Sequence, residues 1–157
     1  MKLLVLSDSH KRMQYMYQAV EREKPDLIIH LGDHDRDAER LAEQYPEIPV
    51  WSVCGNCDYG TGPERIVQDL EGVRIFATHG HTLMVKYGLL RATLAAEEEK
   101  ANVLLFGHTH EALCDWHRGL WYVNPGTCSG SGPVTYAVLE LDRGSVRPAI
   151  HEIVPDN

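Results

Sequence analysis

The chain has 157 residues, 43% of them hydrophobic and 24% charged, with a formal net charge of −8. That length and balance fit one soluble globular domain over residues 1–157, and the net acidity disfavours stable nucleic-acid binding, which takes clustered Lys and Arg. No apolar stretch is long enough to span a bilayer, and MKLLVLSDSH turns polar too soon for a signal-peptide core, so a cytoplasmic protein is expected.

In chain order, residues 3–7 read as a buried strand and residues 12–23 as a helix closed by Pro25. Leu27 to Leu31 is a second continuous apolar strand, a helix over 35–44 follows, and Pro49 to Val53 is a third strand. Strands without alternation, separated by helices, argue a parallel sheet covered on both faces. Beyond residue 60 the pattern changes. Arg65–Leu70 and Val73–Thr78 flank Glu71-Gly72 as a hairpin, a helix spans 88–100, and 103–106 is another buried strand. Two more hairpins follow, Leu113–His117 with Leu120–Val123 and Val134–Leu141 with Val146–Val154. Hairpins added to βαβ units predict a second sheet packed on the first, a layered α/β sandwich.

The strand exits share one chemistry. They read Asp8-Ser9-His10, Gly32-Asp33, Gly55-Asn56-Cys57-Asp58, Thr78-His79-Gly80-His81 and Gly107-His108-Thr109-His110. In α/β folds ligands bind outside the carboxyl ends of the strands. Asp, Asn and His form a hard-to-intermediate metal-ligand set suited to Mn, Fe, Zn or Co. Two carboxylates, one amide and four imidazoles exceed the needs of one tetrahedral ion and suit two ions about 3.5–4 Å apart. One residue between ligands lets both side chains leave the same side of a tight loop.

The series DSH, GDHD, GNCD, THGH and GHTH, running in order from residue 5 to about 128, resembles the calcineurin-like metallophosphoesterase superfamily, and within it the small YfcE-like phosphodiesterases. The resemblance implies a four-layer αββα sandwich of two mixed sheets. It implies one metal on Asp8, His10 and His110, a second on Asn56, His79 and His108, and Asp33 bridging both. Manganese is the first expectation for these two divalent ions, with Fe, Zn, Ni or Mg also accommodated. The mechanism expected is in-line attack on phosphorus by a hydroxide bridging the metals. His81 and Asn56 are the expected substrate contacts, with His81 also a candidate proton donor, and Asp58 is expected to orient a ligand.

Two positions depart from that pattern. Where many superfamily members carry a general-acid His, this chain has Cys57, so diesters with good leaving groups are expected to react and monoesters only weakly. The usual second aspartate position holds Arg36, with Asp35 and Asp37 on either side, leaving that supporting role unassigned. The substrate class expected is a small phosphodiester, and a homo-oligomer stays open. The competing reading is a weak or inactive interaction scaffold of the retromer-subunit type on the same fold, against which the complete set of ligand positions counts. His30 reads as a satisfied core histidine, and His34 as a substrate contact or an exposed loop residue. Cys54 reads as a small buried strand residue, and residues 82–94 as a cap with Tyr87 and Arg91 near substrate.

Overall fold

The computed structural model describes residues 1–56, 58, 62–129 and 132–154. The elements run β1 (Lys2–Leu6), α1 (Met13–Glu23), β2 (Leu27–His30), α2 (Asp35–Gln44) and β3 (Val50–Ser52), then β4 (Arg65–Leu70), β5 (Val73–Thr78) and α3 (Leu90–Glu98). They continue as β6 (Val103–Leu105), β7 (Leu113–His117), β8 (Leu120–Asn124), β9 (Val134–Asp142) and β10 (Ser145–Ile153).

The strands form two five-stranded mixed sheets, ordered β10-β9-β1-β2-β3 and β4-β5-β6-β8-β7. Each has a parallel centre, β1-β2-β3 in the first and β5-β6-β8 in the second. The remaining strands pair antiparallel, β9 and β10 on one side of the first sheet, β4 and β7 at the two edges of the second. The register keeps the parallel strands level, with Leu6 opposite His30 opposite Ser52, and Ala77 opposite Leu105 opposite Val123. All their carboxyl ends therefore emerge at one end of the sandwich.

The apolar runs do not alternate because each strand is covered twice. Leu3, Val5, Leu27 and Ile29 of the first sheet meet Ile75, Ala77, Val103 and Leu105 of the second in the central layer. The in-between residues Leu4, Leu6 and Ile28 face the other way, onto Met16, Ala19 and Val20 of α1 and Leu41 of α2. On the far side Phe76 and Leu104 pack on Ala92 and Ala96 of α3. The result is the four-layer αββα sandwich. The 88–100 helix is shorter than expected, and two 3₁₀ turns, His81–Leu83 and Val85–Tyr87, precede it, the second anchored by buried Val85. Cys54 lies beyond β3 and is only half-buried.

Backbone bonding outruns the strands and carries the loops with it. Asp8 N–H donates to the Gly32 carbonyl (3.1 Å) and Gly107 N–H to the His79 carbonyl (3.0 Å). At Gly107 the two sheets come so close that an added Cβ would collide with Ser7 Oγ and crowd Asp8 Oδ2. Overpacking of this kind costs about 1–3 kcal/mol. Gly107→Ala is expected to lower the melting temperature by roughly 3–10 °C, read by thermal unfolding of metal-free protein, and an unchanged melt would contradict this close approach.

His30, at the end of β2, is a satisfied core histidine. It is fully buried, and its Nδ1 accepts the Gly32 N–H (3.2 Å), which places the ring proton on Nε2. Burial pushes its pKa down, so the ring sits neutral in the core. With the folded value below the unfolded one of about 6.5, the unfolded chain binds the extra proton first and stability is lost as pH falls below that point. Metal-free protein should therefore melt progressively lower from about pH 6.5 to about pH 5. His30→Gln should flatten part of that slope; an identical slope would contradict a neutral, buried His30.

Candidate metal centre

Asp8 leaves β1 fully buried, and its carboxylate is half satisfied. Oδ2 accepts the Ser7 hydroxyl (2.6 Å) and the His108 backbone N–H (3.1 Å), which turns Oδ1 towards His110 Nε2, 3.2 Å away. Burial alone pushes the Asp8 pKa up, but the His110 imidazole, His79 and the Ser7 hydroxyl outweigh it and hold the group well below the usual carboxylate range. The Asp8 carboxylate beside it conversely raises the pKa of His110, against the effect of its partial burial.

His79, at the exit of β5, is oriented from behind. Its Nδ1 lies 2.8 Å from the Leu31 carbonyl, which can only accept, so Nδ1 carries a proton and Nε2 is the nitrogen whose lone pair a metal ion would take. That Nε2 faces Asn56 Oδ1 at 2.9 Å, His108 Nδ1 at 3.2 Å, Asp33 Oδ1 at 3.5 Å and Asp8 Oδ1 at 3.9 Å. Acceptors pointing at one another across such distances suit a cation set between them. Burial, with His79 close by, also lowers the pKa of His108 and of His81, keeping both neutral.

Around Asp8 the ligand atoms of Asp8, His10, Asp33 and His110 all lie within 4.8 Å of one another. His10 Nδ1 bonds to His34 Nε2 (3.1 Å), leaving His10 Nε2 buried with no hydrogen-bond partner. Among the described residues, the buried side-chain nitrogen and oxygen atoms without a hydrogen bond are Asp8 Oδ1, which meets His110 only as an ion-pair contact, His10 Nε2 and His81 Nδ1, all three at this site. Buried polar atoms are otherwise almost always paired, so the donor set fits a divalent cation both by its chemistry and by its unmet bonding.

The tight exits take an unusual backbone. Asp8 (φ 53°), His10 (46°), Asp33 (57°), His108 (69°) and His110 (63°) are all left-handed, as are the neighbouring Lys11 (68°) and His34 (71°). Each costs a non-glycine residue about 1–2 kcal/mol, and such strain gathers where surrounding structure over-determines it. Asp58 Oδ2 accepts the backbone N–H of Asp33 (3.0 Å) and of Gly55 (2.7 Å), so it braces the Asp33 turn. Thr127 Oγ donates to the Asp8 carbonyl (2.9 Å), while Asn124 Nδ2 donates to the Gly107 carbonyl (3.2 Å) and to Thr109 Oγ1 (2.9 Å).

The structure thus brings Asp8, His10, Asp33, Asn56, His79, His108 and His110 to one end of the sandwich, with Asp58 beneath and His81 beside them. His81 opens the first 3₁₀ turn, its ring 5.4 Å from His79 and 6.2 Å from His108. His34 is half-buried rather than exposed, and it pairs with His10. The aspartate role left open around Arg36 falls to Asp37, which is buried and bonded to the Ser9 hydroxyl and Lys11 N–H. Cys57 and the side chain of Asp35 lie outside the described residues. In the 82–94 stretch Tyr87 is 86% exposed.

Comparison with known proteins agrees with this geometry. The calcineurin-like phosphoesterase superfamily domain profile matches residues 1–144. The chain is 34% identical over 149 residues to the probable metallophosphoesterase YsnB of Bacillus subtilis, covering 90% of this chain and 85% of that one. It is 29% identical to the phosphodiesterase YfcE of Escherichia coli K12, over 93% of this chain and 91% of YfcE. A solved Vps29 from Entamoeba histolytica, complexed with zinc, superposes with a TM-score of 0.75 at 17% identity, covering 97% and 99% of the two chains, a likeness of fold alone. With its sheets, strand exits and donor set in agreement, the chain belongs to the calcineurin-like phosphoesterase superfamily.

Proposed function

We propose that the protein is a binuclear metal-dependent phosphodiesterase acting on small diesters. The observation that carries the reading is the side-by-side placement of two donor groups, Asp8, His10 and His110 in one and Asn56, His79 and His108 in the other, with Asp33 near both. When bound, divalent cations, manganese first among them, supply the Lewis acidity that activates water and neutralises charge building on phosphorus. The chain's own part is orientation. Ser7 and the His108 N–H hold one Asp8 oxygen so that the other faces the site, and the Leu31 carbonyl holds His79 so that its lone pair does. Asn56 and His81 are the proposed phosphoryl contacts.

A groove of about 370 Å³ opens beside His110, lined by Glu111, Ala112, Thr127, Gly132, Pro133 and Thr135. With no lysine or arginine among those residues it favours an uncharged ester group over a second phosphate, which supports a diester with a neutral second alcohol. Cys57 in place of a general-acid histidine points the same way, since a monoester's alkoxide profits most from a proton. The name phosphodiesterase carried by YfcE adds support. The Vps29 likeness keeps an interaction scaffold as the rival, and the complete donor set weighs against it.

Chelator-stripped protein is expected to be inactive and to regain hydrolysis of bis-p-nitrophenyl phosphate with about two Mn²⁺ per chain, with p-nitrophenyl phosphate cleaved far more slowly. Metal uptake without diester hydrolysis would favour the scaffold. Asp33→Asn is expected to cost on the order of a hundredfold in kcat/KM at saturating metal, and full retention of activity would remove Asp33 from the bridging role.

A further inference from the structure

We infer that His30, Ser9 and Asp37 form a buried positioning chain that sets the Asp8–His10 turn for a divalent cation, acting through the backbone. The inference rests on the metal-dependent reading above and assigns work to three residues that reading does not use.

The direction of every bond in the chain is determined. Gly32 N–H donates to His30 Nδ1, so His30 Nε2–H donates to Ser9 Oγ (3.0 Å). The Ser9 hydroxyl then spends its own proton on Asp37 Oδ2 (2.7 Å), and the same oxygen takes the Lys11 backbone N–H (2.8 Å). Asp37 therefore grips the chain on both sides of His10, once through a side chain and once through the backbone. His10 between those grips is left-handed, as are Asp8 just before them and Lys11 at the second, a conformation that relaxes towards ordinary backbone unless held.

Packing alone does not account for the residue types. His30 and Ser9 are wholly buried and Asp37 nearly so (1% exposed). Such groups are costly in a core unless their bonds do something an apolar filler cannot. They also tie together the end of β2, the first turn of α2 and the exit of β1, the same elements that deliver Asp33, His34, Asp8 and His10. Thr127 secures the carbonyl of Asp8 from the loop between β8 and β9.

The test is Mn²⁺ affinity by calorimetry on the full chain for wild type, Ser9→Ala, Asp37→Ala and Asp37→Asn. His110→Ala and Asn56→Ala mark which binding event belongs to which donor group. Ser9→Ala and Asp37→Ala are expected to weaken the event marked by His110→Ala about tenfold or more, while the event marked by Asn56→Ala stays within about twofold. Asp37→Asn keeps an acceptor oxygen and should recover most of the loss. Both events weakening equally, neither moving, or Asn behaving like Ala would overturn the inference. If Asp37→Ala does not fold, Ser9→Ala, which loses only a hydroxyl, decides alone. Wild type that binds no Mn²⁺ would overturn the proposed function as well, whereas two intact events with unaffected variants would overturn this inference only.

Discussion

At the carboxyl ends of β1, β2 and β6 the chain must turn within a few residues and still hold a carboxylate or imidazole forward. The left-handed backbone at Asp8, His10, Asp33, His108 and His110 is how it does so. Asp and His tolerate that region better than most non-glycine residues, so the donor chemistry and the turn geometry select the same residue types. The consequence is a cluster of strained turns carrying acceptors that face one another, unfavourable in two ways at once. Everything around it reads as compensation. Hydrogen bonds run from backbone and side chain to the far side of Asp8, His10 and His79, and they turn the other polar atom of each towards the site.

The compensation comes from both sheets, which is why the fold matters to the chemistry. The first sheet delivers Asp8, His10, Asp33 and Asn56, and the second delivers His79, His108 and His110. The distances between them depend on how closely the two layers meet at this end. Gly107 removes the side chain that would keep them apart. The His108 N–H bond to Asp8 then stitches across the gap, and Thr127 in the β8–β9 loop holds the Asp8 carbonyl. The large inter-sheet core behind, from Leu3 and Ile29 to Ile75 and Leu105, makes that spacing stiff. A rigid gap between two sets of donors is preorganisation in the ordinary physical sense, set before any ion arrives.

Much of this was legible in the sequence, for a definite reason. Strands buried on both faces read as unbroken apolar runs, so their ends are visible, and a polar pair at each end marks the site without any knowledge of its geometry. The hairpins around Glu71-Gly72 and Arg118-Gly119 were equally plain, and the structure keeps their bounds within a residue. What stayed hidden depends on contacts between residues distant in the chain. Nothing in the stretch around Arg36 says that Asp37 turns inward to Ser9, 28 positions away, or that His34 meets His10 across two loops. Which nitrogen of His79 bears the proton is fixed by a carbonyl 48 residues earlier. The 3₁₀ turns after His81 escaped because one or two turns present too few residues for a period to register.

The central claim is that two donor groups flank Asp33 and hold two cations. Anomalous scattering from a crystal grown with Mn²⁺ tests it most directly. The account expects two peaks about 3.5–4 Å apart, one ringed by Asp8, His10 and His110, the other by Asn56, His79 and His108, with Asp33 reaching both. A single peak, or peaks away from these side chains, would contradict it.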